Sequence, residues 1–365
     1  MMSTKVIAAV AIVAVLAVTV TAAVVMNNNG GEDKLPTEGI EITDSLGNKI
    51  VVDKTAEKVC IVNSNQAKFF QMFNLEDKIA GACQGVFDEP TLKDGFLDNA
   101  TNLGKYNSSG VVEKIVETKV KYVLTPTSMG ITAANQTLLK DTYGITCIVL
   151  ECYGSTMLQD AEQIVKLFSS DSGNKILKEY KELYNSVKNS VLEKASAAKV
   201  DKSFLAHVAM KGNAFYTDNS ELAKNIKSVA GHNSLNEWYT PIDTSETYAR
   251  PNAESVAQQS QSVGIDRLIL RSSSSDASLN ATATKFISGF LNEYASSMKT
   301  INDGGVYVIH TDITSGCRDF IGFVAFAEIF GIDTGYDMVK MINDFNQKYE
   351  FKGTYSELLL HYTAA

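Results

Sequence analysis

Apolar residues recur at three- and four-residue spacing through residues 174–199, which predicts one long amphipathic helix. The stretch contains no Gly or Pro, and Lys and Glu are prominent among the intervening residues. One face therefore packs and the other is solvated. An ordinary surface helix has the same pattern, so the meaning of this one depends on what flanks it. The periodic apolar residues are Ile176, Leu177, Tyr180, Leu183, Tyr184, Val187, Val191 and Leu192.

The residues before the long helix alternate short apolar runs with helical stretches. A hairpin is predicted at 41–53, with its turn at Gly47. Apolar runs this short suit strands buried on both faces of a mostly parallel sheet. Strands are predicted at 59–62, 79–82, 122–124 and 146–150, and helices at 66–73 and 111–118.

The same alternation returns after the long helix, so the second half predicts another α/β unit. Strands are predicted at 204–210, 267–270 and 306–310, and helices at 220–230, 253–261 and 318–330. The fold class expected is α/β, with two Rossmann-like lobes bridged by a single long α-helix and a ligand cleft between the lobes. The predicted boundaries are a first lobe at 39–173, the interlobe helix at 174–199 and a second lobe at 200–365.

The amino-terminal residues form a long apolar segment, unlike the α/β pattern of the rest of the chain. Residues 6–26 carry no charge and are long enough to cross a hydrocarbon core as a helix. We predict a signal or membrane anchor at 1–26, with an uncleaved anchor favoured because the only small-residue cleavage site is weak. A flexible tether is predicted at 27–38. The folded part then lies on the extracellular side of the membrane, or is periplasmic or secreted if the segment is cleaved.

The amino-acid composition and the net charge exclude some classes of function. The 365-residue chain is 45% hydrophobic with a net charge of −9, which suits a folded protein and disfavours nucleic acid as a partner. Its five cysteines form no CxxC pair, which argues against a disulfide framework or a zinc ribbon. The four histidines are scattered, and no metal site is predicted.

Loops after the carboxyl ends of parallel strands form the ligand crevice of open α/β sheets, so the residues in those loops are the candidates for binding. Aromatic residues with a few cations suit a large, partly anionic organic ligand. The alternative for each residue is a solvated loop position or a helix cap, and for Arg318 a salt bridge to a neighbouring carboxylate. The predicted ligand-binding residues are Gln84 and Tyr106 in the first lobe, and Tyr216, Trp238, Tyr239, Arg271 and Arg318 in the second.

Enzyme motifs are scarce. The chain has no phosphate-binding loop, no GxSxG and no HExxH. No catalytic residue is assigned, and the chain is predicted not to be an enzyme.

Read in order, the motifs resemble the extracellular substrate-binding proteins of iron-siderophore, haem and cobalamin ABC importers. The resemblance covers nearly all of the chain after the tether, and it rests on the order and spacing of short motifs. They are ITDSLGNKIVVDKTAEKVCIVNSN (42–65), NLGKY (102–106), VVEKIVETKVKYVL (111–124), SVAGHNSL (228–235), ARPNAESVAQQSQSVGIDRLILRSS (249–273) and GGVYVIHTDITSGCRDF (304–320). Three departures are Ala230 in place of a glycine, Cys317 in place of a proline, and the loss of the usual Pro-Asp before two strands.

The resemblance implies a protein without a covalently bound cofactor, whose ligand is a ferric siderophore, cobalamin or haem. It implies an ABC permease as partner, with the ATPase reached through the permease, and a monomer as the simplest state. In such proteins one surface Glu of each lobe docks onto the permease, and the matching positions are Glu113 and Glu254. The alternative for both is a carboxylate favoured by the dipole at a helix amino terminus.

Three functions remain open at this point. A receptor for a ferric chelate would use Arg271 and Arg318 against anionic oxygens, whereas a corrinoid or haem receptor would rely on Tyr106, Trp238 and Tyr239. A chelatase-like or nitrogenase-like enzyme would share the two-lobed shape, although the export segment and the cysteine spacing argue against it. A membrane-anchored sensor or adhesion module is the third.

Overall fold

The computed structural model of the chain describes residues 39–53, 57–208, 212–239, 246–272 and 278–363. The predicted anchor at 1–26 and tether at 27–38 lie outside these residues. Within the part described, no helix is both long and apolar enough to cross a membrane. The described residues contain both predicted lobes and the helix between them.

The first lobe is a hairpin followed by a five-stranded sheet with helices on its connections, as predicted. In the described residues the sheet order is β5-β4-β3-β6-β7, and every pairing is parallel. The central strands are buried along their whole length, which explains their apolar sequence. The elements are β1 (Gly39–Thr43), β2 (Lys49–Asp53), β3 (Val59–Ile61), α1 (Ser64–Met72), β4 (Ile79–Ala82), α2 (Gln84–Phe87), β5 (Thr101–Asn102), α3 (Val111–Glu117), β6 (Tyr122–Thr125), α4 (Ala133–Tyr143), β7 (Thr146–Val149) and α5 (Met157–Leu167).

The long helix α6 (Asp171–Ala198) is confirmed and begins three residues earlier than its apolar pattern suggested. The cause is Ser170, whose hydroxyl caps the helix by accepting a hydrogen bond from the Gly173 amide at 3.0 Å. Its buried face follows the predicted period, except that Leu183 remains 38% exposed.

The second lobe repeats the architecture. Its sheet order is β10-β8-β12-β13-β14 in the described residues, with β14 added antiparallel at the edge. The strand predicted at 204–210 is shorter than expected, since β8 ends at Ala206. The elements are β8 (Ser203–Ala206), β9 (Phe215–Tyr216), α7 (Glu221–Val229), β10 (His232–Asn233), α8 (Leu235–Trp238), β11 (Tyr248–Ala249), α9 (Ala253–Gln259), β12 (Arg267–Ser272), α10 (Leu279–Gly289), α11 (Lys299–Asn302), β13 (Val306–His310), α12 (Asp319–Ile329), α13 (Met338–Lys348) and β14 (Leu359–Tyr362).

One hydrophobic cluster spans both lobes, and each lobe also has a cluster of its own. Helix α12 is apolar on all sides and packs against the long helix α6, where Phe320 contacts both Tyr180 and Tyr184. The same apolar cluster includes Phe69 of the first lobe, whose ring lies 5.9 Å from that of Tyr180, and Phe204 of the second. Residues 38–365 therefore form one compact unit.

Candidate functional site

Loops at the carboxyl ends of the two sheets contact each other. After β13, a Cβ at Gly316 would lie 2.6 Å from Oδ1 of Asn65, in the first turn of α1. After β7, the Ser155 amide donates to Glu221 at the start of α7 at 2.9 Å. The residues predicted to bind ligand lie in strands or in the segments that follow them, and the carboxyl ends of strands are where open α/β sheets hold ligands.

Arg271, Tyr216 and Thr314 form a cluster at this end of the second sheet. Arg271 donates from Nε and Nη2 to the Thr314 hydroxyl at 3.1 and 2.6 Å, and from Nη1 to the Tyr216 hydroxyl. The guanidinium also lies 5.7 Å from the centre of the Tyr216 ring. Among the described residues each terminal nitrogen keeps a second N–H, so a half-buried, pre-oriented cation remains available to an anionic oxygen.

Trp238 and Tyr239 stack edge to face, with ring centres 5.9 Å apart, against the second-lobe core. The indole Nε1 is buried and has no hydrogen-bond partner among the described residues. Asn233 connects this pair to the arginine cluster, because its side chain donates to the Tyr216 carbonyl at 2.8 Å and accepts from the Leu235 amide at the start of α8. Two predicted groups of site residues thus share one edge of the lobe.

The first-lobe candidates lie in consecutive loops. Gln84 begins α2 after β4, and its side-chain amide is already engaged, donating to Asp88 at 2.8 Å and accepting from Asn102 at 2.9 Å. Tyr106 follows β5 and is half-buried against the apolar cluster on one face of the first sheet. Gln84 therefore orders its own loop, while the Tyr106 ring offers a partly exposed apolar face.

Arg318 lies in a different place from the other predicted cations. It precedes α12, as the sequence predicted, but only 1% of it is exposed. Its guanidinium stacks on Phe351, 4.5 Å from the ring centre, and Nη1 lies 4.0 Å from the Asp312 carboxylate. None of its three nitrogens has a hydrogen-bond partner among the described residues. In this conformation Arg318 is shut away from solvent, so direct ligand contact by Arg318 stays a prediction.

Asp312 is the centre of a buried charged group that includes residues of both lobes. Burial acts to raise its pKa, but the charges of Lys68, Arg318 and His310 and a hydrogen bond donated by Tyr355 outweigh it and lower the pKa below its usual range. Lys68 belongs to α1 and pairs with Glu89 at 3.2 Å. The acidic and basic side chains buried between the lobes therefore lie beside partners of opposite charge, which reduces the free-energy cost of burying them.

Sequence reasoning missed Glu151 and Thr314. Glu151 follows β7 and accepts hydrogen bonds from both the amide, at 2.8 Å, and the hydroxyl of Thr127. Burial and the charge of Glu151 raise the pKa of Tyr153, which is hydrogen-bonded to Ser128 and Glu151. The strand-end rule that selected Tyr106 would also have found Glu151. Nothing in the sequence identifies Thr314 as the partner of Arg271.

The two glutamates predicted to dock on a permease have similar settings. Glu113 is exposed in the first turn of α3, and Glu254 is exposed in the first turn of α9. The Glu254 carboxylate accepts a hydrogen bond from Gln258, one turn later, at 3.1 Å. Both positions are open to a partner, and both also suit the helix dipole.

All five cysteines are free thiols. Burial raises the pKa of Cys60 to about 11 and that of Cys83 and Cys147 to about 12, although Cys147 is only half-buried. Among the described residues no group of three or more His, Cys, Asp or Glu could hold a metal ion. His207 is a core imidazole: its ring packs 4.6 Å from Phe286, and burial lowers its pKa.

No protein-family model matches this chain, and no curated protein matches it. Solved structures do match. A TroA-like periplasmic binding protein, FepB from Veillonella parvula, matches with TM-score 0.69 and 18% identity over 88% of this chain and 99% of that one. An ABC-type Fe3+-hydroxamate transport protein from Saccharomonospora viridis matches with TM-score 0.53 and 18% identity over 80% and 99%. The periplasmic vitamin B12 binding protein BtuF of Vibrio cholerae matches with TM-score 0.55 and 12% identity over 77% and 99%.

These matches span nearly the whole of each solved chain, so the two α/β lobes and the long helix are one complete fold of this kind. The fold expected from the sequence resemblance, with two lobes bridged by a single helix, is confirmed. At such low identity the likeness concerns the fold.

Proposed function

We propose that this protein is the extracytoplasmic substrate-binding component of an ABC importer, which captures a ferric-siderophore-type complex between its lobes and delivers it to a permease. The observation that carries the proposal is the cluster of Arg271, Tyr216 and Thr314. It places a pre-oriented cation with spare N–H groups at the carboxyl end of the second sheet, in a fold shared with periplasmic binding proteins.

A ferric chelate fits this cluster because its oxygen donors carry the negative charge around the metal. Two N–H groups on a planar guanidinium match such oxygens, and the contact to Thr314 fixes their direction. The ligand is cargo and no catalysis is assigned to the protein.

A tetrapyrrole, either haem or cobalamin, is the second candidate ligand. The observation in its favour is the aromatic pair Trp238 and Tyr239, which shares an edge of the second lobe with Tyr216, while Tyr106 presents a ring from the first lobe. Flat rings of this size stack well on macrocycles.

The enzyme alternative, a chelatase-like or nitrogenase-like protein, has less support. Metal clusters are held by groups of cysteine thiolates, whereas the cysteines of the described residues do not form such a group. A sensor that has lost transport would keep the binding site but not the permease contacts.

The test is fluorescence titration of the purified protein with an iron-hydroxamate, an iron-catecholate, haemin and cobalamin. Trp238 is the only Trp of the chain and lies beside the proposed site, so a bound chromophore should quench it. We expect saturable quenching by one class. Arg271→Ala should weaken a ferric chelate by about 10- to 100-fold, the range for a charge-assisted hydrogen bond.

The matched control is Arg267→Ala. Arg267 begins the same strand β12, and its Nε donates to the Ile329 carbonyl at 2.9 Å, away from the strand's carboxyl end. This variant removes an equal charge and should bind as the wild type does. Equal losses in the two variants would contradict the assigned role of Arg271, and a wild type that binds none of the probes would contradict the receptor.

A further inference from the structure

Residues 349–355, in the connection from α13 to β14, leave the second lobe and contact the first. Four links reach the first lobe, and one of them is an ion pair between the Lys352 side chain and Asp94. Gln71 of α1 donates from its side chain to the Tyr349 carbonyl at 3.0 Å, and the Lys352 amide donates to the Thr91 carbonyl at 2.8 Å. Lys93 forms an ion pair with Glu350 at 3.0 Å. Gln71 also accepts from the Lys93 amide at 2.9 Å, so the two first-lobe partners fix each other.

The same segment is held just as firmly to its own lobe. The Phe351 amide donates to the Asn346 carbonyl at 2.9 Å, and Asn346 donates from its side chain to the Gly353 carbonyl at 3.0 Å. Asn343 makes two hydrogen bonds to the backbone of Tyr355, each of 2.9 Å. Residues 349–355 therefore have fixed partners on both sides of the interlobe boundary.

Two side chains secure the middle and the end of the segment. Phe351 is 6% exposed and lies between the Arg318 guanidinium and the ring of Phe345, which it stacks at 6.0 Å. The Tyr355 hydroxyl donates to Asp312, which follows β13. Pulling the segment away would expose the Phe351 ring, end its stacking on the Arg318 guanidinium and remove a hydrogen bond from the buried Asp312 carboxylate. Exposing an apolar ring and taking a donor from a buried carboxylate both cost free energy.

We propose that residues 349–355 act as a strap that fastens the second lobe to the first and limits how far the ligand cleft opens. The lobes already meet along α6, in the apolar cluster that contains Tyr180, and at contacts between their strand-end loops. The strap adds a further attachment beside β14, at the edge of the second sheet, and so reduces the freedom of the lobes to move apart. This role follows from the contacts whatever ligand is bound.

Native-state hydrogen exchange tests the proposal directly, because adjacent amides in the strap report on different sides of the boundary. The Lys352 amide bonds to the first lobe, whereas the Phe351 amide bonds within the second. Replacing Gln71→Ala and Lys93→Ala removes two of the three side-chain links from the first lobe and leaves the exposed Lys352–Asp94 pair in place. We expect exchange at Lys352 to speed up by about tenfold or more, with little change at Phe351.

The control pair is Gln163→Ala with Lys181→Ala. Gln163 accepts from the Thr43 amide at 3.1 Å, and Lys181 pairs with Glu162 at 2.6 Å, so the control removes a similar amide and a similar cation without touching the strap. Equal acceleration at Lys352 in both pairs, or acceleration of Lys352 and Phe351 together, would mean general destabilisation and would overturn the proposal.

The effect on the cleft is read from spin labels at Asn107→Cys and Asn236→Cys, exposed positions after β5 of the first lobe and in α8 of the second. In the ligand-free protein the label separation should widen and broaden in the strap variant, and not in the control pair. An unchanged distribution would overturn the assigned limit on opening. Neither measurement needs a ligand, so both are independent of the proposed transport function.

Discussion

Arg318 and Asp319 are neighbours in the sequence and both are buried, but their side chains meet different surroundings. Arg318 stacks on Phe351 at the interlobe strap. Asp319, the first residue of α12, faces the long helix, where Tyr184 is hydrogen-bonded to it and Lys188 is the nearest cation that acts on it. Burial raises the pKa of Asp319 to about 7, the two contacts opposing that rise only in part.

The raised pKa of Asp319 makes stability depend on pH. The folded carboxyl, with a pKa of about 7 against an ordinary 3.8, binds its proton more tightly than the same carboxyl does in the unfolded chain. Its contribution is therefore complete below pH 4 and is lost as the pH rises through 7. Asp319→Asn imitates the protonated form. We expect the variant to gain a few kcal/mol over the wild type at pH 8 and little at pH 4, measured by urea unfolding.

The control for this prediction is Asp303→Asn, which removes an exposed carboxylate paired with Lys299 one turn away. Its difference in unfolding free energy from the wild type should be small at each pH. If the curves for Asp319→Asn and the wild type run parallel from pH 4 to pH 8, the buried carboxyl does not govern the pH dependence.

At the scale of elements, the turn between α7 and β10 depends on one glycine. Gly231 has a φ of +77°, and a Cβ there would lie 1.8 Å from the Lys202 carbonyl, which also accepts from the His232 amide at 3.0 Å. The preceding Ala230 is extended, with a φ of −167°, so a side chain is tolerated there.

Gly231→Ala should therefore displace the edge strand β10 from β8. We expect a loss of about 3 kcal/mol or more in unfolding free energy, since backbone strain and a backbone overlap add together. Gly47→Ala separates these two causes, because Gly47 has a φ of +83° with nothing within 4 Å of the added Cβ. That variant should lose only about 1 kcal/mol. Equal losses in the two variants would show that the overlap at Lys202 is relieved.

At the scale of the whole molecule, the two lobes carry Glu113 and Glu254 in equivalent positions, at the starts of α3 and α9. A permease that contacts both lobes at once would bind according to the distance and angle between Glu113 and Glu254. The apolar cluster that spans the lobes and the strap keep that distance and angle constant. The helix dipole explains each carboxylate singly, but it does not require one in each lobe.

Replacing Glu113→Ala and Glu254→Ala together should abolish uptake of the ligand by whole cells while leaving the titration of Trp238 unchanged. The matched control replaces Glu117 and Glu293, exposed carboxylates on the same two lobes. Uptake that survives the first pair, or fails equally with the second, would assign Glu113 and Glu254 to helix stability alone.

The sequence by itself determined the elements and the fold class. The period of α6, the short apolar strands β3, β4 and β6 and the order of helices between them are local patterns, and burial requires each pattern to keep its period. Some boundaries shifted: the cap at Ser170 starts α6 three residues earlier, and β8 ends at Ala206.

Only the tertiary structure decided which strand-end residues meet. Thr314 stands 43 residues from Arg271, yet its hydroxyl orients the guanidinium. Arg318 looked like a cleft residue, but Phe351 covers it, and the strap that brings Phe351 there has no sequence signature. The physical reason is that the apolar period of a segment indicates which of its side chains are buried. Which residue each buried side chain contacts depends on the packing of segments far apart in the chain.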